Sequence, residues 1–171
     1  MAERLTDREL GAWRGFLRAH ANLWRELEGS LAARHGLSLN AYDVLVLLDE
    51  APAGTMRMSE LAGAVLMTSG GFTRLADRLE RAGLIRRERC AADARGFDVS
   101  LTERGRSLLE DARATHRADV RRRFLEHLSP EEQAALAAIW ERILEPAVDP
   151  AASRGRRRGR DTTAINRGEV A

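Results

Sequence analysis

No lysine occurs among the 171 residues, so all 28 basic side chains are arginine. That excludes chemistry resting on a lysine amine, including a P-loop, a Schiff-base enzyme and a Ser–Lys hydrolase. The single cysteine, Cys90, permits no internal disulfide and fits a reducing compartment. Unbroken apolar runs such as Val44-Leu45-Val46-Leu47-Leu48 fall far below the roughly 20 residues of a membrane span. No apolar signal core follows Ala2, Glu3 and Arg4, so a cytoplasmic location without a membrane partner is expected. Prolines and aromatic rings are few, which favours helices over a sandwich. The four histidines (His20, His35, His116 and His127) have neither short ligand spacing nor cysteine company, so no metal site is expected. No cofactor motif, nucleophile elbow or recognisable carboxylate pair is present, and the chain is not expected to be an enzyme.

What remains is an ordinary globular composition, 44% hydrophobic and 32% charged, with a length that suits one domain. The net charge of +2 is unevenly spread. Six of the 28 basic residues and three of the 26 acidic ones fall in 149–171, leaving 22 and 23 before them, a net charge of −1. The segment 149–171 has no periodicity and is expected to be a disordered, arginine-rich tail after a domain spanning 1–148. The sequence pI near 9.4 largely reflects that tail, so an argument for nucleic-acid binding must come from charge positions within the fold.

Helix signals are clear. Thr6-Asp7-Arg8-Glu9 forms a capping box ahead of Leu10, Trp13, Phe16, Leu17, His20, Trp24, Leu27 and Leu31, which recur at helical spacing up to about Arg34, with Gly36 as a stop. Ser38 caps a second, mostly apolar helix to about Glu50, and Ala51 to Gly54 form a loop. A short helix spans Ser59 to Leu66, Met67 and Thr68 turn, and Ser69 is expected to cap another helix. Its Phe72, Leu75, Ala76, Leu79 and Ala82 form an apolar face opposite Thr73, Arg74, Asp77, Arg78 and Arg81, and Gly83 stands where a left-handed cap is wanted. Two short helices joined by a small turn, the second with an arginine-bearing face, match a helix-turn-helix. Two extended runs follow, Leu84 to Arg89 and Phe97 to Leu101, joined by Ala91 to Gly96: a hairpin wing. Thr102 caps a long helix whose apolar side runs from Leu108 to Leu128. Ser129-Pro130-Glu131-Glu132 starts the last helix, which carries Leu136, Ile139, Trp140, Ile143 and Leu144 and ends at Pro146.

The blocks Arg57-Met58-Ser59-Glu60-Leu61-Ala62, Thr68 to Leu75, Asp77 to Ile85, Asp93-Ala94-Arg95-Gly96 and Leu101-Thr102-Glu103-Arg104-Gly105 resemble, in order and spacing, the MarR (multiple antibiotic resistance regulator) family. The resemblance covers roughly residues 6–146. It implies a mainly α, winged helix-turn-helix chain, with dimerisation helices at about 6–35 and 103–146 around a winged helix at 39–101. It also implies a homodimer with recognition helices in successive major grooves and wings in the flanking minor grooves. The family's wing often reads Asp-Arg-Arg, whereas Ala94 stands in the middle here, so only the contact of Arg95 carries over.

Independently of the name, a major groove about 12 Å wide admits one helix. The residues within reach of double-stranded DNA are then Thr68, Ser69, Gly70, Gly71, Thr73, Arg74 and Arg78. Ser69 and Thr73 can donate to phosphates or bases, and Arg74 and Arg78 can reach guanine or phosphate. Gly70 and Gly71 each cost about 1 kcal/mol of helix propensity against alanine, tolerable for close approach to DNA or simply because a first turn accepts glycine. Arg81 reads as a solvated residue paired with Glu80 or Asp77. Arg95 suits a narrow minor groove, with Asp93 orienting it. Arg86, Arg87 and Arg89 are further candidates for phosphate contacts.

The family's architecture also implies an effector site between dimerisation helices and winged lobes. Trp13, His20, Trp24, Tyr42 and His116 are its candidates, with a small aromatic or acidic ligand expected. Plain core packing competes for the tryptophans, and a hydrogen-bonded core histidine for His20 and His116. Cys90, near three arginines, is conceivable as a redox switch, although the family's peroxide sensors carry their cysteine near the N-terminus. The expected function is a repressor on a (pseudo)palindromic operator, released by a small molecule. The alternative is a sequence-tolerant architectural DNA binder that uses the arginine tail.

Overall fold

Side-chain caps set the helix ends in the computed structural model, which describes residues 4–65, 67–90 and 96–144. The arginine-rich segment 149–171 and the wing tip, with Asp93 and Arg95, lie outside the described residues. Helix α1 spans Asp7–His35. Its predicted capping box is present: Thr6 Oγ1 accepts from the Glu9 amide at 3.3 Å, and the Thr6 amide donates to Glu9 Oε2 at 2.7 Å. Ser38 caps α2 (Leu39–Glu50) by accepting from the Ala41 amide at 3.2 Å. A three-residue strand β1 (Thr55–Arg57) leads into α3 (Met58–Ala64) and then α4 (Ser69–Arg81). The cap of α4 is Thr68, one residue before the expected Ser69: Thr68 is extended, and its Oγ1 accepts from the Gly71 amide at 3.2 Å.

Strands β2 (Ile85–Arg89) and β3 (Phe97–Leu101) form the predicted hairpin, and β1 adds to it antiparallel, giving the order β1-β3-β2 with Met56 and Arg87 on either side of Val99. Strand β1 was not expected, because three residues carry no readable period. Helix α5 covers Glu103–Arg123 and stops earlier than expected. Phe124 leaves helical geometry at φ −133° and a 3₁₀ turn, Leu125–His127, follows. The spacing of Val120, Phe124 and Leu128 reads as helix either way.

Residues up to Leu128 form one compact unit and those from Ser129 a second. In the first, Val44, Leu45 and Leu48 of α2 meet Leu61 of α3, Phe72, Leu75, Ala76 and Leu79 of α4, Val99 and Leu101 of β3, and Leu109 and Ala112 of α5. The apolar face predicted for α4 is thus the core face, with Ala82 alone left exposed. On α1 only Leu31 is buried. Trp13 is 54% exposed, Leu17 44% and Trp24 40%, and His20 is exposed as well, so the core reading of those residues fails. The second unit contains α6 (Pro130–Leu144), opened by reciprocal bonds between Ser129 and Glu132. No helix among the described residues is long and apolar enough to cross a membrane.

The chain leaves α4 through Gly83, whose φ of +69° favours a residue without Cβ, and enters α5 through Thr102. The two passages touch. The Thr102 hydroxyl donates to Gly83 O at 2.6 Å, its amide donates to Leu84 O at 3.1 Å, and a Cβ on Gly105 would lie 2.0 Å from that same oxygen. Gly105→Ala must therefore push α5 away from the wing. The expected loss is about 1–3 kcal/mol, read as a lower urea midpoint.

Candidate nucleic-acid interface

With one face of α4 held in the core, the opposite face presents Gly70, Thr73, Arg74 and Arg78 to solvent. Arg74 and Arg78 have no ion-pair partner among the described residues, whereas Arg81 donates from Nε to the Asp77 carbonyl at 3.1 Å. Arg81 is solvated as expected, but the expected pairing with Glu80 or Asp77 is not made, because both carboxylates sit against Arg87. Thr68 is exposed, and its cap bond uses only the oxygen as acceptor, leaving the proton for an outside acceptor. The two glycines separate here. A Cβ on Gly71 would press on Thr68 Oγ1 at 3.0 Å, so the cap itself favours glycine, while a Cβ on Gly70 would meet nothing within 4 Å. Nothing among the described residues calls for Gly70, which agrees equally with close approach from outside and with a first turn that simply accepts glycine.

The three arginines of β2 divide as well. Arg87 is taken up internally. Its Nε donates to Glu80 Oε2 at 2.9 Å, its backbone amide to Glu80 Oε1 at 3.2 Å, and Nη1 pairs with Asp77 Oδ1 at 2.8 Å. It is thereby withdrawn from the candidate phosphate contacts. Arg86 donates to Ser100 Oγ at 2.9 Å and leans on Glu88 at 3.4 Å, but stays largely exposed, and Arg89 is exposed without a partner among the described residues. Sequence spacing could not separate these three, because the selection is made by acids of α4 that fold against the strand. Beyond β2, the Cys90 amide donates to Gly96 O at 3.0 Å, and Arg57 Nη2 approaches the half-buried Cys90 sulfur at 3.2 Å.

The effector candidates do not form one site. Trp13, Phe16, His20 and Trp24 follow one another along α1 with ring centroids 5.9, 6.2 and 6.0 Å apart. Tyr42 and His116 stack at 4.6 Å between α2 and α5, where burial raises the tyrosine's pKa and lowers the histidine's. A cavity of about 540 Å³ opens elsewhere in the first unit, between α1, α2 and the segment joining α3 to α4. Trp24 is the one candidate lining it. Asn40, Asp43 and Leu47 of α2 were missed, and their i, i+3, i+7 spacing was the available signal.

The Arg87 clamp has a measurable consequence. The guanidinium hydrogen bond holds the Glu80 carboxyl below its usual value of 4.5. A depressed acid stabilises the fold above that value and loses the contribution as pH falls through its folded-state titration. Since the groups are partly exposed, Arg87→Met is expected to lower stability by about 1 kcal/mol at pH 7. The difference from the parent should shrink towards zero in acid, as read by urea unfolding across pH.

Comparison with known proteins agrees with this geometry. A family model described as MarR family matches residues 35–96. An uncharacterised HTH-type transcriptional regulator of Bacillus cereus is 30% identical over 141 residues, 81% of this chain and 92% of the relative. AbsC, a MarR family transcriptional regulator from Streptomyces coelicolor, superimposes with a TM-score of 0.78 at 35% identity, over 91% of this chain and all of AbsC. Sco3205, a MarR family regulator from the same organism solved in complex with DNA, gives 0.80 at 32% identity over 86% of this chain and 94% of its own. These likenesses, over nearly the whole of the described fold, show that the chain belongs to the MarR family of DNA-binding transcriptional regulators, which are not enzymes.

Proposed function

We propose that the chain is a cytoplasmic repressor that binds a (pseudo)palindromic operator as a homodimer and is released by a small-molecule effector. The observation that carries the reading is the division of α4 into a buried face and an outward face on which Arg74 and Arg78 have no ion-pair partner among the described residues. A helix so held keeps the register of its outward side chains, which is what reading base edges requires. The likeness to Sco3205, whose structure contains DNA, supports the same use of this element. Arg95 and its neighbour Asp93 complete the proposed contact in the minor groove.

Dimerisation is supported by α1. Trp13, Phe16 and Leu17 are each at least 40% exposed, an apolar stripe of the kind that marks an interaction surface. On α6, Ile143 and Leu144 are 63% and 76% exposed. Covering such faces with a second copy places two α4 helices on one molecule, as half-sites about 34 Å apart demand. An effector acts in this reading by favouring a spacing of lobes that does not match those half-sites.

Fluorescence anisotropy on DNA from upstream of the protein's own gene tests the site. Arg74→Ala and Arg78→Ala should each weaken binding by about 1–3 kcal/mol where they read a base. Where they touch phosphate, each should lower the log–log salt slope by about 0.9. Equal binding to a scrambled duplex, indifferent to both substitutions, overturns the assignment and moves binding to the arginine tail. Sedimentation tests the dimer: Trp13→Glu combined with Leu17→Glu is expected to yield monomers with lost operator affinity.

A further inference from the structure

The cavity beside Trp24 has an uneven chemistry. Asn40 and Asp43 supply its polar side chains, and Trp24, Leu47, Val65 and Met67 form much of the apolar wall. Neither arginine nor histidine is among the described lining residues. Asp43 is half-buried, with no hydrogen bond or ion pair among the described residues, whereas the half-buried Asp77 and Glu80 sit against the Arg87 guanidinium. Burial alone pushes its carboxyl upwards, and no neighbouring cation pulls it back. A carboxylate in this state has given up part of its hydration without receiving a partner, so an incoming positive charge gains more from it than in open water. The Trp24 indole, 40% exposed, adds a π face of the kind that attracts cations.

We propose that this cavity takes an organic cation with an apolar body, its charge on Asp43 and its hydrocarbon against Trp24, Leu47 and Val65. The inference rests on the effector reading above and narrows it. The volume of about 540 Å³ suits a ligand of drug size. An acidic ligand meets the opposite situation: it would have to desolvate beside Asp43 without a guanidinium to receive it. Aromatic character is retained from the sequence-based expectation, and acidity is not.

Titration calorimetry on the full chain tests the charge, with benzyltributylammonium and 4-phenylbutyrate as probes. The cation is expected to bind at least about tenfold more tightly than the carboxylate, and Asp43→Asn to remove most of that preference. Val65→Phe, which fills the cavity without touching its charge, should abolish binding of the cation. Asp43→Asn should melt no lower than the parent, since it removes a partly desolvated charge. Absence of cation binding, equal affinity for the two probes, or unchanged cation affinity in either variant overturns the proposal. Anisotropy then separates it from the reading it rests on. Cation binding that leaves operator affinity unchanged keeps the ligand class and removes the effector role. Release by phenylbutyrate and not by the ammonium keeps an effector role and overturns the cation.

Discussion

The carbonyl oxygen of Leu84 sits at a crowded junction, and the winged helix-turn-helix is tied to α5 through it. It accepts from the Thr102 amide at 3.1 Å and lies within 3.1 Å of the Thr102 hydroxyl, with Gly105 packed directly on it. One short stretch thereby joins the exit of α4, the base of both long wing strands and the first turn of α5. The same hydroxyl oxygen accepts from the Gly105 amide at 3.0 Å, so the cap of α5 and the tie to the wing are one group. A helix start is usually a local matter of three or four residues. Here it fixes two elements far apart in sequence, because Gly83 and Leu84 are brought under Thr102 by the hairpin register.

A second constraint decides which charges face outward. Helix α4 carries both acids and arginines on its polar side, and a bare count would leave its field near neutral. The fold sorts them. Asp77 and Glu80 turn towards β2 and share the Arg87 guanidinium, while Arg74 and Arg78 keep their charge on the open face. The result is a positive surface on a chain whose first 148 residues carry a net charge of −1. Affinity for a polyanion depends on such local sorting rather than on net charge.

Much of this was legible beforehand because it is written at short range. Capping boxes at Thr6 and Ser129, the period of Phe72, Leu75 and Leu79, and the alternation of Phe97 to Leu101 each need only a few neighbouring residues, and the family's motif blocks lie on the same segments. What was missed needs distant partners or more residues than the element offers. The three residues of β1 become a strand only when β3 lies beside them. Ser69 and Thr68 are equivalent as caps until the backbone of the turn selects one. Arg87 cannot be told from Arg86 or Arg89 until Glu80 arrives from the preceding helix. The stripe from Trp13 to Trp24 has a helical period whether it faces a core or a second molecule, so periodicity named the helix and could not name its partner. Asp93 and Arg95 stay as expectations, since they lie outside the described residues.

The cavity stands close to the DNA face along the chain. Val65 and Met67 line it, and Thr68, the next residue, caps α4. The Met67 side chain reaches to within 3.5 Å of where a Cβ on Gly71 would lie. Met67 thus belongs to the cavity wall and also borders the first turn of α4. The opposite wall is α2, whose Val44, Leu45 and Leu48 are fully packed in the core and leave it little freedom to yield. In the proposed reading, an occupant that fits one spacing of these walls better than another biases the angle at which α4 is presented. That differential fit, rather than distance, is the physical requirement for coupling two sites.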